Sequence, residues 1–175
     1  QFRNPANPRV HEETTGPEIW RQTGGHLAAF VAGVGTGGTL TGVGRFLKSQ
    51  NPEIKVVLAD PAGSRLAGFV RTGALGEAAP YLVEGIGSSV IPAVCDLSLA
   101  DRAEVVTDGE SFAMTLRLVR EEGLLVGGSA GTAVVAALRV ARDPATEGPV
   151  VVVLPDAWDR YRTRIFNPAW MATVA

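Results

Sequence analysis

Between Gly33 and Thr39 the chain reads Gly-Val-Gly-Thr-Gly-Gly-Thr, where an apolar run (Ala28 to Val34) hands over to an amphipathic one (Leu40 to Lys48). Glycines at such a junction let the backbone approach a ligand closely. Several N–H groups then converge on it, and the opening helix adds its partial positive charge. The hydroxyls of Thr36 and Thr39 can donate as well. The chemistry of this turn is anion binding, and a phosphate suits it.

Three phosphate readings compete. Gly33, Gly35 and Gly38 satisfy G-x-G-x-x-G, and Asp60 closes the next apolar run about twenty residues on, as a dinucleotide-binding unit requires. A Walker loop is excluded, because no Gly-Lys-Ser/Thr follows. The hydroxyls flanking Gly37-Gly38 favour a terminal phosphate wrapped on several sides over a pyrophosphate passed edge-on. A glycine turn that serves only helix–sheet packing is the bland alternative. A second glycine turn, Gly127-Gly128-Ser129-Ala130-Gly131, places Ser129 at the start of another helix. A lone serine there is ordinarily an N-cap. Paired with a phosphate cradle, its hydroxyl could instead meet a heteroaromatic nitrogen.

The elements that must position these residues follow from periodicity. Ala28 to Val34, Ile54 to Asp60 and Val150 to Leu154 read as buried strands, and Glu104 to Thr107 as a shorter one. Helices are expected from the glycine turn to about Gln50, from a cap at Asp108 to Glu122, and from the second turn to about Ala141. Phe112, Leu116 and Val119 share a face of the second, and Val134, Ala137 and Leu138 point inward on the third. Asp156 to Phe166 reads as helical and Gly63 to Ile91 as irregular. Near the start, short helical turns run to Trp20, interrupted at Gly16-Pro17. Strands alternating with helices predict an α/β fold: an open, mainly parallel sheet with helices on both faces.

Composition narrows the class. The 175 residues are 46% hydrophobic and 19% charged, with 21 glycines and a net charge of −2. That balance argues against nucleic acid or a membrane surface as a partner, and no apolar stretch approaches a membrane span. Cys95 is the single cysteine, so no disulfide framework or cysteine metal site is available, and a cytoplasmic setting is expected. His11 and His26 lack partners at metal or triad spacing; surface or helix-cap roles are expected, and no metal. The chain opens on Gln1 in a segment that reads as the middle of a protein, so residues 1–175 are expected to be one partial domain.

Five separated motifs together resemble the cystathionine β-synthase and cysteine synthase family. They are Gln1-Phe2-x-Asn4-Pro5-Ala6-Asn7-Pro8, Thr14-Thr15-Gly16-Pro17-Glu18-Ile19-Trp20, the Gly33–Thr39 loop, Glu84-Gly85-Ile86-Gly87 and the Ser129 turn. The resemblance implies the larger domain of a tryptophan-synthase-β-like enzyme with pyridoxal 5′-phosphate as cofactor. It implies that Gly35, Thr36, Gly37, Gly38 and Thr39 hold the cofactor phosphate and that Ser129 faces the pyridine nitrogen. By the same resemblance Gln1 binds the amino-acid substrate, and Gly85, Ile86 and Gly87 line the substrate side. Asp60 then becomes a strand-end residue rather than a ribose ligand. Glu121 to Gly131, and the close from Leu154-Pro155-Asp156 through Tyr161 to Asn167-x-x-Trp170-Met171, lean toward the cystathionine branch. That branch condenses serine with homocysteine; the rival joins O-acetylserine to sulfide.

The departures carry weight. The family's cofactor-linking lysine lies in a part before Gln1, and Lys48 and Lys55 are the only lysines here. Neither is expected to reach a ring between Thr36 and Ser129, so no catalytic residue is assigned and the isolated chain is expected to be inactive. Ser88-Ser89 stands where cystathionine synthases often carry an aromatic or acidic residue, which bears on the acceptor. Asp156-Ala157-Trp158 replaces a glycine-rich turn, with Trp158 either crowding the cofactor or packing outside it. The resemblance further implies a homodimer of the complete protein acting on small amino acids. A degenerate, non-catalytic module that binds the cofactor or a partner is the alternative of another class.

Overall fold

The computed structural model describes residues 1–174. Four strands, β1 (Ala29–Gly33), β2 (Lys55–Pro61), β3 (Arg102–Val106) and β4 (Val150–Val152), form an all-parallel sheet in the order β3-β2-β1-β4. Side chains alternate across the pleat. Phe30, Ala32, Val56 and Leu58 face one layer, built on Leu40, Val43 and Leu47 of α3 (Gly38–Gln50). Ala29, Val31, Val57 and Ala59 face the other, built on Ala133, Ala136 and Val140 of α6 (Gly128–Ala141). Both faces of β1 and β2 are covered, so these central strands read as near-continuous apolar runs, whereas the edge strand β3 carries Arg102 and Glu104.

The topology fixes where a ligand can bind. After β1 the chain crosses over α3 to β2 and then β3; it returns through α5 (Asp108–Glu122) and α6 to β4, on the other side of β1. The direction of winding reverses between β1 and β4. In open parallel sheets the crevice lies at such a switch point, beyond the C-terminal ends of the strands.

Local differences from the sequence reading have physical causes. Gly16-Pro17 interrupts nothing: α1 (Ala6–Val10), a π-helical turn (His11–Thr15) and α2 (Gly16–Gln22) run on as one winding. Pro17 falls in the first turn of α2, directly after the widened turn, where a missing N–H does least harm. Thr107, not Asp108, caps α5: its hydroxyl accepts from the N–H of Glu110 at 3.3 Å while the Glu110 carboxylate accepts from the N–H of Thr107 at 3.0 Å. Asp108 instead accepts from the N–H groups of Leu82 and Val83. On α6 the buried positions after Thr132 are Ala133, Val135, Ala136, Ala137 and Val140, while Val134 and Leu138 are half-buried. The stretch after Gly63 contains a helix, α4 (Leu66–Thr72). From Asp156 to Phe166 the chain forms a 3-10 turn (Trp158–Tyr161) and turns rather than an α-helix, and α7 (Pro168–Met171) follows.

Candidate functional site

At the switch point lies a cavity of about 210 Å³. Its wall brings together Gly35, Thr36, Gly37, Gly38, Thr39, Gly85, Ile86 and Ser129 from three separate parts of the chain, with Ala32, Gly33, Val153, Pro155 and Asp156 between them. Two helices open onto it. Neither α3 nor α6 has a side chain on its N-cap glycine or an acidic residue in its first turn. Thr36 Oγ1 accepts from the Gly38 N–H at 3.3 Å, while the N–H groups of Thr39 and Ser129 and the two helix dipoles are left for whatever occupies the cavity.

The glycine loop is shaped from behind. Gly37 takes a left-handed conformation (φ 86°) with Cys95 packed against its Cα, a place no side chain could share. Burial pushes the Cys95 thiol up to about 11, so it is a packing group and not a nucleophile. The first helical winding supplies the remaining backing. Asn7 donates from Nδ2 to Thr36 Oγ1 at 2.9 Å, and His11 Nε2 lies 3.3 Å from Thr39 Oγ1 while its Nδ1 meets Thr15 Oγ1 at 2.9 Å. Burial lowers the pKa of His11, favouring the neutral ring. The expectation of a surface or cap role for His11 is corrected here: it stands behind the loop.

Ser129 is held by the α5–α6 contact. Thr132 donates to Ser111 Oγ at 2.8 Å, and Ser111 to the carbonyl of Thr107 at 2.9 Å. The Thr115 hydroxyl lies against the carbonyls of Ser111 and Gly127, gripping the turn just before Ser129. Every hydroxyl in this packed layer has a partner except one. Ser129 is 2% exposed and its Oγ has none. Among the described residues the only other such buried side-chain atom is Oδ1 of Asp60.

The third wall folds over the loop. Ile86 sits on Gly33, the Gly85 carbonyl on Gly35, and the N–H of Gly87 donates to the Val34 carbonyl at 2.9 Å. Arg164 pins this segment through Glu84 at 2.5 Å. On the β4 side, Asp156 accepts from the Tyr161 hydroxyl, and the Gly127 N–H donates to the Asp156 carbonyl. Burial and the Asp156 carboxylate raise the Tyr161 pKa, so the phenol stays a donor.

Two of the expected residues lie off the wall. Gln1 is exposed, and its contact is through its carbonyl, which accepts from Asn7 Nδ2 at 3.0 Å. Gly87 backs onto Pro61 and Tyr81. Asp60 is fully buried and caps α4 by accepting from the N–H of Ala67 at 2.8 Å, so it is no ribose ligand. Lys48 pairs with Asp101 at 2.8 Å, and Lys55 opens β2 at the end of the sheet away from the cavity. Trp158 packs edge-on to Phe166 with Arg162 over its ring, outside the cavity. Sequence reasoning missed Asn7 and His11 as backing for the loop. Their signal was present, since one helical turn separates them on a single face, but the partner they face is distant in the chain.

Among the described residues there is no His/Cys/Asp/Glu cluster that could hold a metal ion, and no helix long and apolar enough to cross a membrane. Among known proteins, the chain is 43% identical over 173 residues to a cystathionine beta-synthase of Apis mellifera, covering 99% of this chain and 34% of that protein. It is 44% identical to cysteine synthase A of Escherichia coli K12 over 164 residues, 92% of this chain and 51% of that one. A cysteine synthase of Haemophilus influenzae is 44% identical over 163 residues, 92% and 52% respectively. The chain thus spans about a third to about half of the length of these curated relatives. The family model described as pyridoxal-phosphate dependent enzyme matches residues 1–156. With that match over most of its 175 residues, the chain belongs to the pyridoxal-phosphate-dependent enzymes and has their tryptophan-synthase-β-like fold.

Proposed function

We propose that the whole protein catalyses β-replacement on serine with homocysteine as acceptor, and that this chain supplies the phosphate and ring-nitrogen side of the site. The observation that carries the reading is the pair of glycine-led helix starts facing one cavity, with the unpartnered Ser129 hydroxyl in its wall. When bound, pyridoxal phosphate supplies an electron sink that draws charge from the α-carbon of an attached amino acid.

The residues of the chain would divide the work as follows. Gly35 to Thr39 would hold the phosphate with backbone N–H groups and two hydroxyls, charge-assisted bonds being the strong ones. Ser129 Oγ would meet the ring nitrogen. A neutral hydroxyl, unlike a carboxylate, leaves that nitrogen unprotonated, and the weaker sink suits elimination and replacement at Cβ. Gly85 and Ile86 would roof the substrate side and exclude water from it. A cavity of about 210 Å³ is smaller than the usual small-molecule site of roughly 300–1,000 Å³. The opposite wall and the cofactor-linking lysine would then come from the remainder of the protein, and Gln1 would help to bind the amino acid. The complete enzyme would be a homodimer.

Identity to the two kinds of relative, 43% and 44%, does not separate the acceptors. The longer match to the cystathionine beta-synthase, 173 residues against 164, supports homocysteine. A second reading, cysteine synthesis from O-acetylserine and sulfide, is favoured by Ser88-Ser89, which brings neither an aromatic ring nor a carboxylate beside the Gly85–Gly87 roof. The test is a pair of kcat/KM values on the full-length protein, for serine with homocysteine and for O-acetylserine with sulfide. A larger value for the second pair overturns the homocysteine assignment; activity with neither overturns β-replacement.

A further inference from the structure

We infer that Asn7 is a positioning residue that compels the Thr36 hydroxyl to donate its hydrogen into the cavity; the inference rests on reading that cavity as a phosphate site. A hydroxyl has one hydrogen to give and two lone pairs to fill. Both lone pairs of Thr36 Oγ1 are taken from behind, by Nδ2 of Asn7 at 2.9 Å and by the backbone N–H of Gly38 at 3.3 Å. Each of those atoms can only donate.

The orientation of the Asn7 amide is fixed by chemistry. Nδ2 also faces the carbonyl oxygen of Gln1 at 3.0 Å, and a carbonyl can only accept. One amide hydrogen therefore goes to Gln1 and the other to Thr36. Reversing the amide would set two acceptors against each other. No acceptor for the Thr36 hydrogen exists among the described residues, and Thr36 lines the cavity. Its hydrogen is left for an occupant that accepts. An anion with several oxygens meets that need; a ligand presenting a donor at this point is refused.

Asn7 thus sets the polarity of the loop without touching the ligand. Its removal leaves Thr36 free to turn its hydrogen elsewhere. Asn7→Asp, of the same shape, does more: a carboxylate oxygen accepts from Thr36 and draws the hydrogen away from the cavity.

The test uses the full-length protein freed of cofactor, titrated with pyridoxal phosphate, inorganic phosphate and pyridoxal, with tryptophan fluorescence as the readout. Asn7→Ala is expected to weaken pyridoxal phosphate and inorganic phosphate about tenfold, the loss of one oriented hydrogen bond to a charged group. Pyridoxal, which has no phosphate, is expected to stay within about twofold, a shift that the loss of such a bond would exceed. Combined with Thr36→Val, Asn7→Ala is expected to add nothing, because the hydroxyl it orients is gone. Asn7→Asp is expected to lose more than Asn7→Ala only while Thr36 is present, beyond whatever its charge costs in the Thr36→Val background. Should Asn7→Ala fail to fold, the Asn7→Asp cycle carries the test alone. Equal losses with and without the Thr36 hydroxyl overturn the inference, as do parallel losses for pyridoxal. If the unaltered protein binds inorganic phosphate but not pyridoxal phosphate, the cofactor reading falls and the inference is decided on phosphate. If it binds neither, both fall.

Discussion

The long helices of this molecule start in two ways, and those that open onto the cavity differ from the one that does not. At the start of α5 nothing is left open. Thr107 and Glu110 cap each other reciprocally, Asp108 and Glu110 offset the dipole, and Arg139 closes over Glu110 at 2.5 Å. At the starts of α3 and α6 the N-cap residues are glycines without a side chain, no carboxylate sits in the first turn, and Thr36 Oγ1 accepts from the Gly38 N–H alone. All three helices are 13 residues or longer, so length does not separate them. The start of α5 is satisfied by its own side chains; on the reading proposed above, α3 and α6 would keep N–H groups for an anion.

The comparison breaks most visibly at Gly37. Gly37→Ala needs a left-handed alanine and a Cβ where Cys95 stands. Strain and overpacking together should cost about 3 kcal/mol in urea unfolding and abolish binding of inorganic phosphate. Retained phosphate binding would show that the loop does not depend on this shape. A smaller and opposite effect is expected at Ser129. Ser129→Ala removes a buried hydroxyl that has no partner, so the cofactor-free protein should gain about 1 kcal/mol in thermal unfolding. If Ser129 meets the ring nitrogen as proposed, the same change should lower kcat/KM of the full-length protein roughly tenfold or more. A destabilised cofactor-free Ser129→Ala would mean that the hydroxyl serves the fold. At the finished start, Thr107→Ala should cost about 1 kcal/mol of stability and leave kcat unchanged, reversing the pattern.

How far the chain could be read from sequence follows the same division. Strands β1, β2 and β4 and the helices beginning at the two glycine turns were legible because parallel-sheet strands covered on both faces are apolar runs, and glycines mark the turns. The glycine loop and the Ser129 turn could be picked out because each is a short run of glycines and hydroxyls; that they share one cavity wall comes from the packing of α3 and α6 on the sheet. Helix α4 was not: its seven residues carry too short a period, and its start is capped by Asp60 from a neighbouring strand. The run Asp156–Phe166 has helical spacing, but Tyr161 is buried against Gly127 and donates to Asp156, and this tertiary contact holds it as turns. Asn7 and His11 escaped for the same reason. Their roles depend on Thr36 and Thr39, 29 and 28 residues away. Contacts within one turn of chain announce themselves, whereas those made by packing one element on another do not.

The smallest expected effect sharpens the comparison through pH. The Glu110 carboxyl is held below the usual carboxylate range, first by the N–H of Thr107, then by the Thr107 hydroxyl and Arg139. A group whose folded pKa is depressed contributes stability above its unfolded value, near 4.3, and that contribution disappears as pH falls through the folded value. The side chain is 43% exposed, so the effect is modest and screened by salt. Glu110→Gln keeps an oxygen for the Thr107 N–H but loses the charge. Its unfolding midpoint should therefore lie below that of the unaltered protein at pH 7, and the two should converge as pH falls below about 4. Parallel midpoints across that range would mean that the charge contributes nothing and the cap works through geometry alone. The starts of α3 and α6 carry no first-turn carboxylate to titrate. Acid should therefore loosen the finished helix start while leaving the two open ones without a protonation step of their own.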